Sequence, residues 1–438
     1  MNNRQKAELI FLEGVKSVLP EKLIRNHLSL TGPVLRIGNL SFREDELENI
    51  YVVGAGKASA AMAHYVENIL KNRIAGGHVT VKYGHSCKLK RINVTEAGHP
   101  LPDENGFRAT AAILDIAEKA KEKDLLLCLI SGGGSALMSD LPEGLIPEEL
   151  IIVNNLLIRC GASIHEINAV RKHLSGVKGG QLARTAWPAT VVSLILSDVI
   201  GNDLDVIASG PTVADRSTFA DALKVIEKYH LIPDLTEGVV RYIKEGVAGL
   251  RPETPKPDDP VFSKTRNILV GSNITALEAC KRYATDSGFE TYIMTDRMSG
   301  NTAEAANEIV KTALKYKNDS SMKKPVCLLY GGETTLRVEG TGTGGRNQHM
   351  ALCAASMLKD TKGITFLAAG TDGTDGPTKV AGAVVDSDTN DIAFSSGHDP
   401  EKYITEFDSY NFFRKTGGHI VTGPTFTNVM DIVVVLIE

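Results

Sequence analysis

Five charged side chains in this sequence sit in settings where a charge needs a partner: Lys57, Asp198, Arg346, Asp372 and Asp375. Lys57 belongs to Val53-Gly54-Ala55-Gly56-Lys57-Ala58, a glycine turn between an apolar run and a helical pattern. A cation at a helix N-terminus opposes the helix dipole, so it is expected there where an anion compensates it; a solvated surface lysine is the alternative. Arg346 ends the glycine–threonine loop Gly340–Gly345 at the start of a helical pattern, where its planar fork can clamp a carboxylate or phosphate. Asp198 follows a strand-like run, and ligands of open α/β sheets bind at the carboxyl ends of strands. There it can hold Mg²⁺ or orient a hydroxyl, with a turn or helix cap as the rival role. Asp372 and Asp375, three apart in Gly370-Thr371-Asp372-Gly373-Thr374-Asp375-Gly376, are hard oxygen ligands suited to Mg²⁺, or else ordinary Asx-turn residues.

Four glycine turns in all follow strand-like runs: 53–58, Ser131-Gly132-Gly133-Gly134-Ser135, Gly331-Gly332-Glu333-Thr334-Thr335 and 370–376. Glycine lets successive backbone N–H groups converge on one point, which makes an anion site. The first turn is neither a dinucleotide fingerprint nor a P-loop. Ser59 stands where the third glycine belongs, and the next strand ends Lys82-Tyr83-Gly84 without the ribose-binding carboxylate. Tyr51 occupies the first P-loop glycine position, and Ala58 that of the hydroxyl residue. The stretch Asn168-Ala169-Val170-Arg171-Lys172-His173, with Lys178 beyond, gathers basic groups that form either a ligand contact or a solvated helix face. The candidate phosphate- and substrate-binding set is therefore Gly54, Gly56, Ser131, Gly132, Gly133, Gly134, Ser135, Asn168, Arg171, Lys178, Glu333 and Asn347.

Strand-like and helix-like segments must position these groups. Glu48–Val53, His78–Tyr83, Leu125–Ile130 and Thr190–Ser197 read as strands alternating with helices, the pattern of a mostly parallel sheet covered on both faces. Four prolines in residues 251–260 exclude a helix or inner strand there and read as a stiff connector, with a surface loop inside one domain as the rival. An α/β rhythm restarts beyond it and closes on the β-branched run Ile432–Ile437. The expected division is an α/β domain over 1–250, a proline-rich connector over 251–260 and a second α/β domain over 261–438.

With Lys+Arg 48 against Asp+Glu 53, the formal charge of −5 gives no basic excess to attract nucleic acid. The longest apolar runs are strand-sized, too short to span a bilayer, and the first 20 residues lack the apolar core of a signal peptide. A cytosolic protein without membrane partner is expected. The six cysteines are scattered without a C-x-x-C pair, which disfavours a zinc site.

Eight segments, in order, resemble a known family: VGAGKASAAMA (53–63), SGGGSAL (131–137), INAVRKHLSGVKGGQLA (167–183), LSDVIGNDLDVIASGPT (196–212), GGETT (331–335), GTGGRNQ (342–348), AAGTDGTDGPTKVAGAVVD (368–386) and TGPTFTNVMD (422–431). They are similar to glycerate 2-kinases of the MOFRL type, whose members have also carried the name hydroxypyruvate reductase. The resemblance implies two unlike α/β domains facing across a cleft, the first a three-layer α/β/α Rossmann-like sheet, the second smaller. It implies transfer of phosphate from ATP, with Mg²⁺, to the 2-hydroxyl of D-glycerate. It also places the family's functional lysine and arginine on Lys57 and Arg346. The family often has Asp where Asn202 stands here. An NAD(P)-dependent hydroxypyruvate reductase is the alternative enzyme, but the ribose carboxylate it needs is missing. A non-catalytic sugar-phosphate module is a third reading, with little use for paired aspartates near an arginine. A homodimer stays open.

Overall fold

All six residues of Leu125–Ile130 are apolar and all six are buried. A strand without a polar face must be covered on both sides. In the computed structural model, which describes residues 1–140 and 142–438, it is an inner strand of a six-stranded sheet. The order is Asn93–Ala97, Ile74–Lys82, Ile50–Ala55, Leu125–Ile130, Thr190–Leu196, Thr265–Gly271. The first five strands run parallel. Leu126, Cys128 and Ile130 pack with Ile113 and Ala117 of helix Glu104–Lys119. Helix Ser59–Leu70 lies against the neighbouring strands. The α/β class read from the alternating pattern is the class observed.

Parallel register brings Ala55 level with Ile130, and Ile130 with Ile195. The two glycine turns and Asp198 therefore leave the sheet at one carboxyl edge. A group of four helices, Pro147–Arg159, Ile164–His173, Phe219–Lys228 and Glu237–Val247, shares its own apolar core of Leu150, Val153, Val170, Phe219 and Ile243. It holds the helix that carries Asn168 and Arg171. A three-stranded antiparallel sheet over Leu28–Arg43 was not legible in the pattern, because its strands are only four residues long.

The chain divides into two compact units, 23–270 and 1–22 with 271–438. This differs from the expected boundaries in two ways. The proline-rich segment 251–260 lies inside the first unit: Thr254 Oγ1 donates to Asp215 at 3.0 Å, Arg184 donates to the Glu253 carbonyl at 2.9 Å, and the Asp215 N–H donates to the Pro255 carbonyl at 3.0 Å. The first helix, Asn3–Ser17, belongs with the far end of the chain. It buries Ala7, Ile10 and Phe11, Arg4 pairs with Asp386, and Thr427 donates to the Val18 carbonyl at 2.6 Å.

The second unit also holds a six-stranded sheet, ordered Glu290–Met298, Val326–Gly332, Asp431–Ile437, Ile364–Gly370, Gly382–Asp386, His419–Ile420. Only the first pair is parallel; Asp431–Ile437 runs antiparallel between its two neighbours. That reversal sets Asp431 beside Gly332 and Gly370, at the carboxyl ends of both flanking strands. Among the described residues no helix is long and apolar enough to cross a membrane.

Candidate functional site

The first two glycine turns are interlocked. The Lys57 N–H donates to the Gly132 carbonyl at 2.9 Å, the Ser131 N–H to the Ala55 carbonyl at 3.1 Å, and the Ala58 N–H to Ser131 Oγ at 3.0 Å. Ser131 is thus buried and occupied in joining the turns. The three glycines owe their place to close approach as much as to freedom. A side chain at Gly132 would collide with the Asp198 carboxylate, at Gly133 with the His99 ring, and at Gly134 with Ala208. Gly133 is also left-handed at φ +82°. Gly54 and Gly56 similarly leave room for Leu129 and Ser131. Asp198 is thereby placed against the turn, and Lys57 forms no ion pair with any described residue.

The basic stretch separates into two kinds of residue. Lys172 is buried and bridges Asp205 and Asp215 at 3.3 Å each, and His173 meets Glu253 at 3.0 Å. These are structural pairs and not a solvated face. Arg171 and Lys178 have no carboxylate partner among the described residues. Arg171 Nε donates to Asn154 Oδ1 at 2.6 Å, and buried Lys178 donates to the Met138 carbonyl at 2.7 Å. Burial lowers the pKa of both, that of Lys178 to about 8, with Asp140 opposing the shift and Arg171 adding to it. Ser135 contacts Ser209 at 3.0 Å, and Ser209 donates to Asn168 Oδ1 at 2.9 Å, leaving the buried Asn168 amide nitrogen without a partner.

In the other unit Arg346 is fully engaged. Its Nε and Nη2 reach Asp431 at 2.5 and 3.0 Å, and its Nη1 reaches Glu333 at 2.8 Å. Burial disfavours the guanidinium charge, but Asp431 and Glu333 more than offset this and raise its pKa. The Asp375 carboxylate is taken up in capping a helix. Its two oxygens accept from the backbone and side-chain amides of Asn347 and Gln348, capping helix Arg346–Met357. Burial pushes its pKa up to about 6, against the pull of those N–H donors. Asp372 Oδ1 accepts from Thr374 N–H and Oγ1 at 3.0 and 2.9 Å, an Asx turn. Among the described residues no cluster of three or more His, Cys, Asp or Glu forms a metal cage.

Two functional candidates escaped the sequence reading. Asp431 carries the paired arginine; its signal was a lone carboxylate opening an otherwise apolar strand, buried here to 1% exposure. His99 packs on Gly133 close to Lys57, and burial followed by the charges of Lys57, Lys82 and His85 drives its pKa down to about 4.

These features define a two-unit α/β protein with interlocked glycine turns at the carboxyl ends of its parallel strands. Residues 6–244 match the family described as "Domain of unknown function (DUF4147)" and residues 326–431 the MOFRL family. The chain is 41% identical to a D-glycerate 2-kinase of Thermotoga maritima over 98% of its length and 97% of the relative's. A glycerate 2-kinase of Pyrococcus horikoshii is 40% identical over 97% and 95%. Relatives in the same range also carry hydroxypyruvate reductase names. Among solved structures, a Thermotoga maritima glycerate kinase superposes with a TM-score of 0.88 at 40% identity, covering 99% of both chains. The chain belongs to the MOFRL family.

Proposed function

We propose that this protein is a glycerate 2-kinase, transferring the γ-phosphoryl group of MgATP to the 2-hydroxyl of D-glycerate. The observation that carries this reading is the interlocked pair of glycine turns presenting Lys57 without a counter-ion among the described residues, in a chain related over its whole length to D-glycerate 2-kinases. Phosphoryl transfer needs charge neutralisation and in-line positioning more than covalent chemistry. The 2-hydroxyl oxygen bonds to the γ-phosphorus as the bond to the β,γ-bridging oxygen breaks and ADP leaves. Lys57 and Arg346 are the proposed charge donors, and Asp198, held against Gly132, the group that orients the hydroxyl and receives its proton. Gly54, Gly56 and the 131–135 turn are proposed to cradle phosphate, with Glu333 and Asn347 fixing Arg346 and its helix.

Mg²⁺ enters as part of the nucleotide substrate, neutralising its phosphates. A nucleotide-borne Mg²⁺ keeps several waters and takes one or two carboxylates, and Asp372 fits that role. Asp375, saturated by amides, does not. Six free cysteines accord with a reducing compartment, and we place the protein in the cytosol.

Purified protein with D-glycerate, ATP and Mg²⁺ should form 2-phosphoglycerate, read by direct coupling to enolase without a mutase. NADH oxidation by hydroxypyruvate without ATP-dependent product would overturn the kinase in favour of the reductase. Phosphate on the C3 oxygen by NMR would overturn the regiochemistry.

A further inference from the structure

Resting on that reading, we propose that the pocket lined by Ser135, Ser139, Asn154, Arg171 and Lys178 takes the carboxylate of a short 2-hydroxy acid. Arg171 and Lys178 are its two counter-charges.

The argument starts from charge. Lys178 is 6% exposed, and its ammonium carries three donors but among the described residues makes one hydrogen bond, to a neutral carbonyl. Arg171 makes one, through Nε, to a neutral amide oxygen. A buried ammonium beside a guanidinium, with no carboxylate among the described residues paired to either, is a costly arrangement. Asp140 is the acid whose charge acts on Lys178, but its carboxylate is already bonded by Ser175 Oγ and the Gly176 N–H. Within the same stretch Lys172 has two carboxylates and His173 has one. Counter-ions were therefore available to the fold and were placed elsewhere. A cation left unpaired at a cavity wall is a receptor for an incoming anion.

Size and lining choose the anion. The cavity measures about 30 Å³, room for about two water-sized groups and so for one carboxylate. Pro102, Leu150, Val153 and Leu174 complete the wall, so the polar side chains of Ser135, Ser139, Asn154, Arg171 and Lys178 alone can meet the charge. Ser135 belongs both to this lining and to the 131–135 glycine turn. An acid anchored here holds its next carbon, and the hydroxyl on it, at the turn where phosphate is proposed to arrive.

Calorimetry on the full-length protein without nucleotide tests this, using D-glycerate, glycerol and inorganic phosphate as separate probes. D-Glycerate is expected to bind at least 100-fold more tightly than glycerol and more tightly than phosphate. Arg171→Gln and Lys178→Met should each weaken D-glycerate at least tenfold while ADP affinity stays within twofold. At pH 8.5 wild type should take up protons on binding D-glycerate, because the anion restores the Lys178 charge, and Lys178→Met should not. Should Lys178→Met fail to fold, Arg171→Lys serves instead: it keeps the charge, loses the fork, and should still weaken D-glycerate several-fold. Equal binding of glycerol, tighter binding of phosphate, or unchanged D-glycerate affinity in the folded variants would each overturn the pocket. Normal D-glycerate binding without ATP-dependent product would overturn the kinase and leave the pocket standing. Normal turnover with unchanged KM in both variants would do the reverse.

Discussion

Arg346 and Arg171 are both arginines at helix ends, and their surroundings are opposite. Arg346 opens helix Arg346–Met357, where the dipole repels a cation, and it is held by Asp431 and Glu333. Arg171 lies in the last turn of helix Ile164–His173, where the dipole favours it, and with Lys178 it lacks a carboxylate. One cation is clamped before any ligand arrives; the other pair waits for one. The paired group can supply a charge at a fixed position, as transition-state stabilisation requires. The unpaired pair can supply affinity, because an anion relieves the burial of its charge. A basic residue near a glycine turn thus says little until its counter-ion is located.

The largest expected effect is on turnover. Lys57→Ala and Arg346→Ala should each lower kcat by on the order of 10²–10³, the usual cost of removing one donor to a transition-state oxyanion. Near-normal turnover in either would make that residue a bystander. The two variants should part in stability. Lys57 has no ion pair to lose, so its melting temperature should stay put. Arg346→Ala strands Asp431 at 1% exposure and should cost about 3 kcal/mol in urea unfolding. Adding Asp431→Asn to Arg346→Ala should recover much of that stability and none of the activity. Equal stability of the two single variants would break the contrast.

Lys178→Met should move the opposite way, raising the stability of ligand-free protein by about 1 kcal/mol, since it removes a buried charge without a partner. The pH dependence has a definite sign. The lysine pKa is about 8 when folded against an ordinary 10.5. Between these values the unfolded chain binds more protons, so stability should rise with pH across that window. The rise should vanish in Lys178→Met; its persistence there would assign it to another group. The smallest effects concern the two aspartates. Asp375→Asn should lower the melting temperature by a few degrees at unchanged Mg²⁺ requirement, as a lost cap does. Asp372→Asn should raise the Mg²⁺ needed for half-maximal turnover at unchanged melting temperature. A Mg²⁺ shift in Asp375→Asn would return that residue to the metal.

Much of this site was legible before folding. The turns at 53–58 and 131–135 follow strands whose apolar character is local, and a parallel register needs only that both strands be buried for their ends to align. Glycine at 132–134 was read as freedom for a nest, whereas each glycine also yields space to Asp198, His99 or Ala208, contacts that no local pattern reveals. Asp375 was read with Asp372 because three residues separate them. Its real partners are the amides of Asn347 and Gln348, about one helix start away in space and 28 and 27 residues away in sequence.

By itself, then, the amino-acid order determined the α/β rhythm and the two turns at the carboxyl edge of the parallel sheet, and it singled out Lys57 and Arg346 as candidate charges. Such signals are short-range: apolar period, glycine and proline act within a few bonds of where they stand. Tertiary structure alone decided which charges were already satisfied. Arg346 finds Asp431 across 85 residues because an antiparallel final strand enters between two others. Helix Asn3–Ser17 joins the distant end of the chain because its buried face, with Ala7, Ile10 and Phe11, is covered there. Counter-charge and covering surface are met through space, at sequence distances over which composition and spacing carry no information.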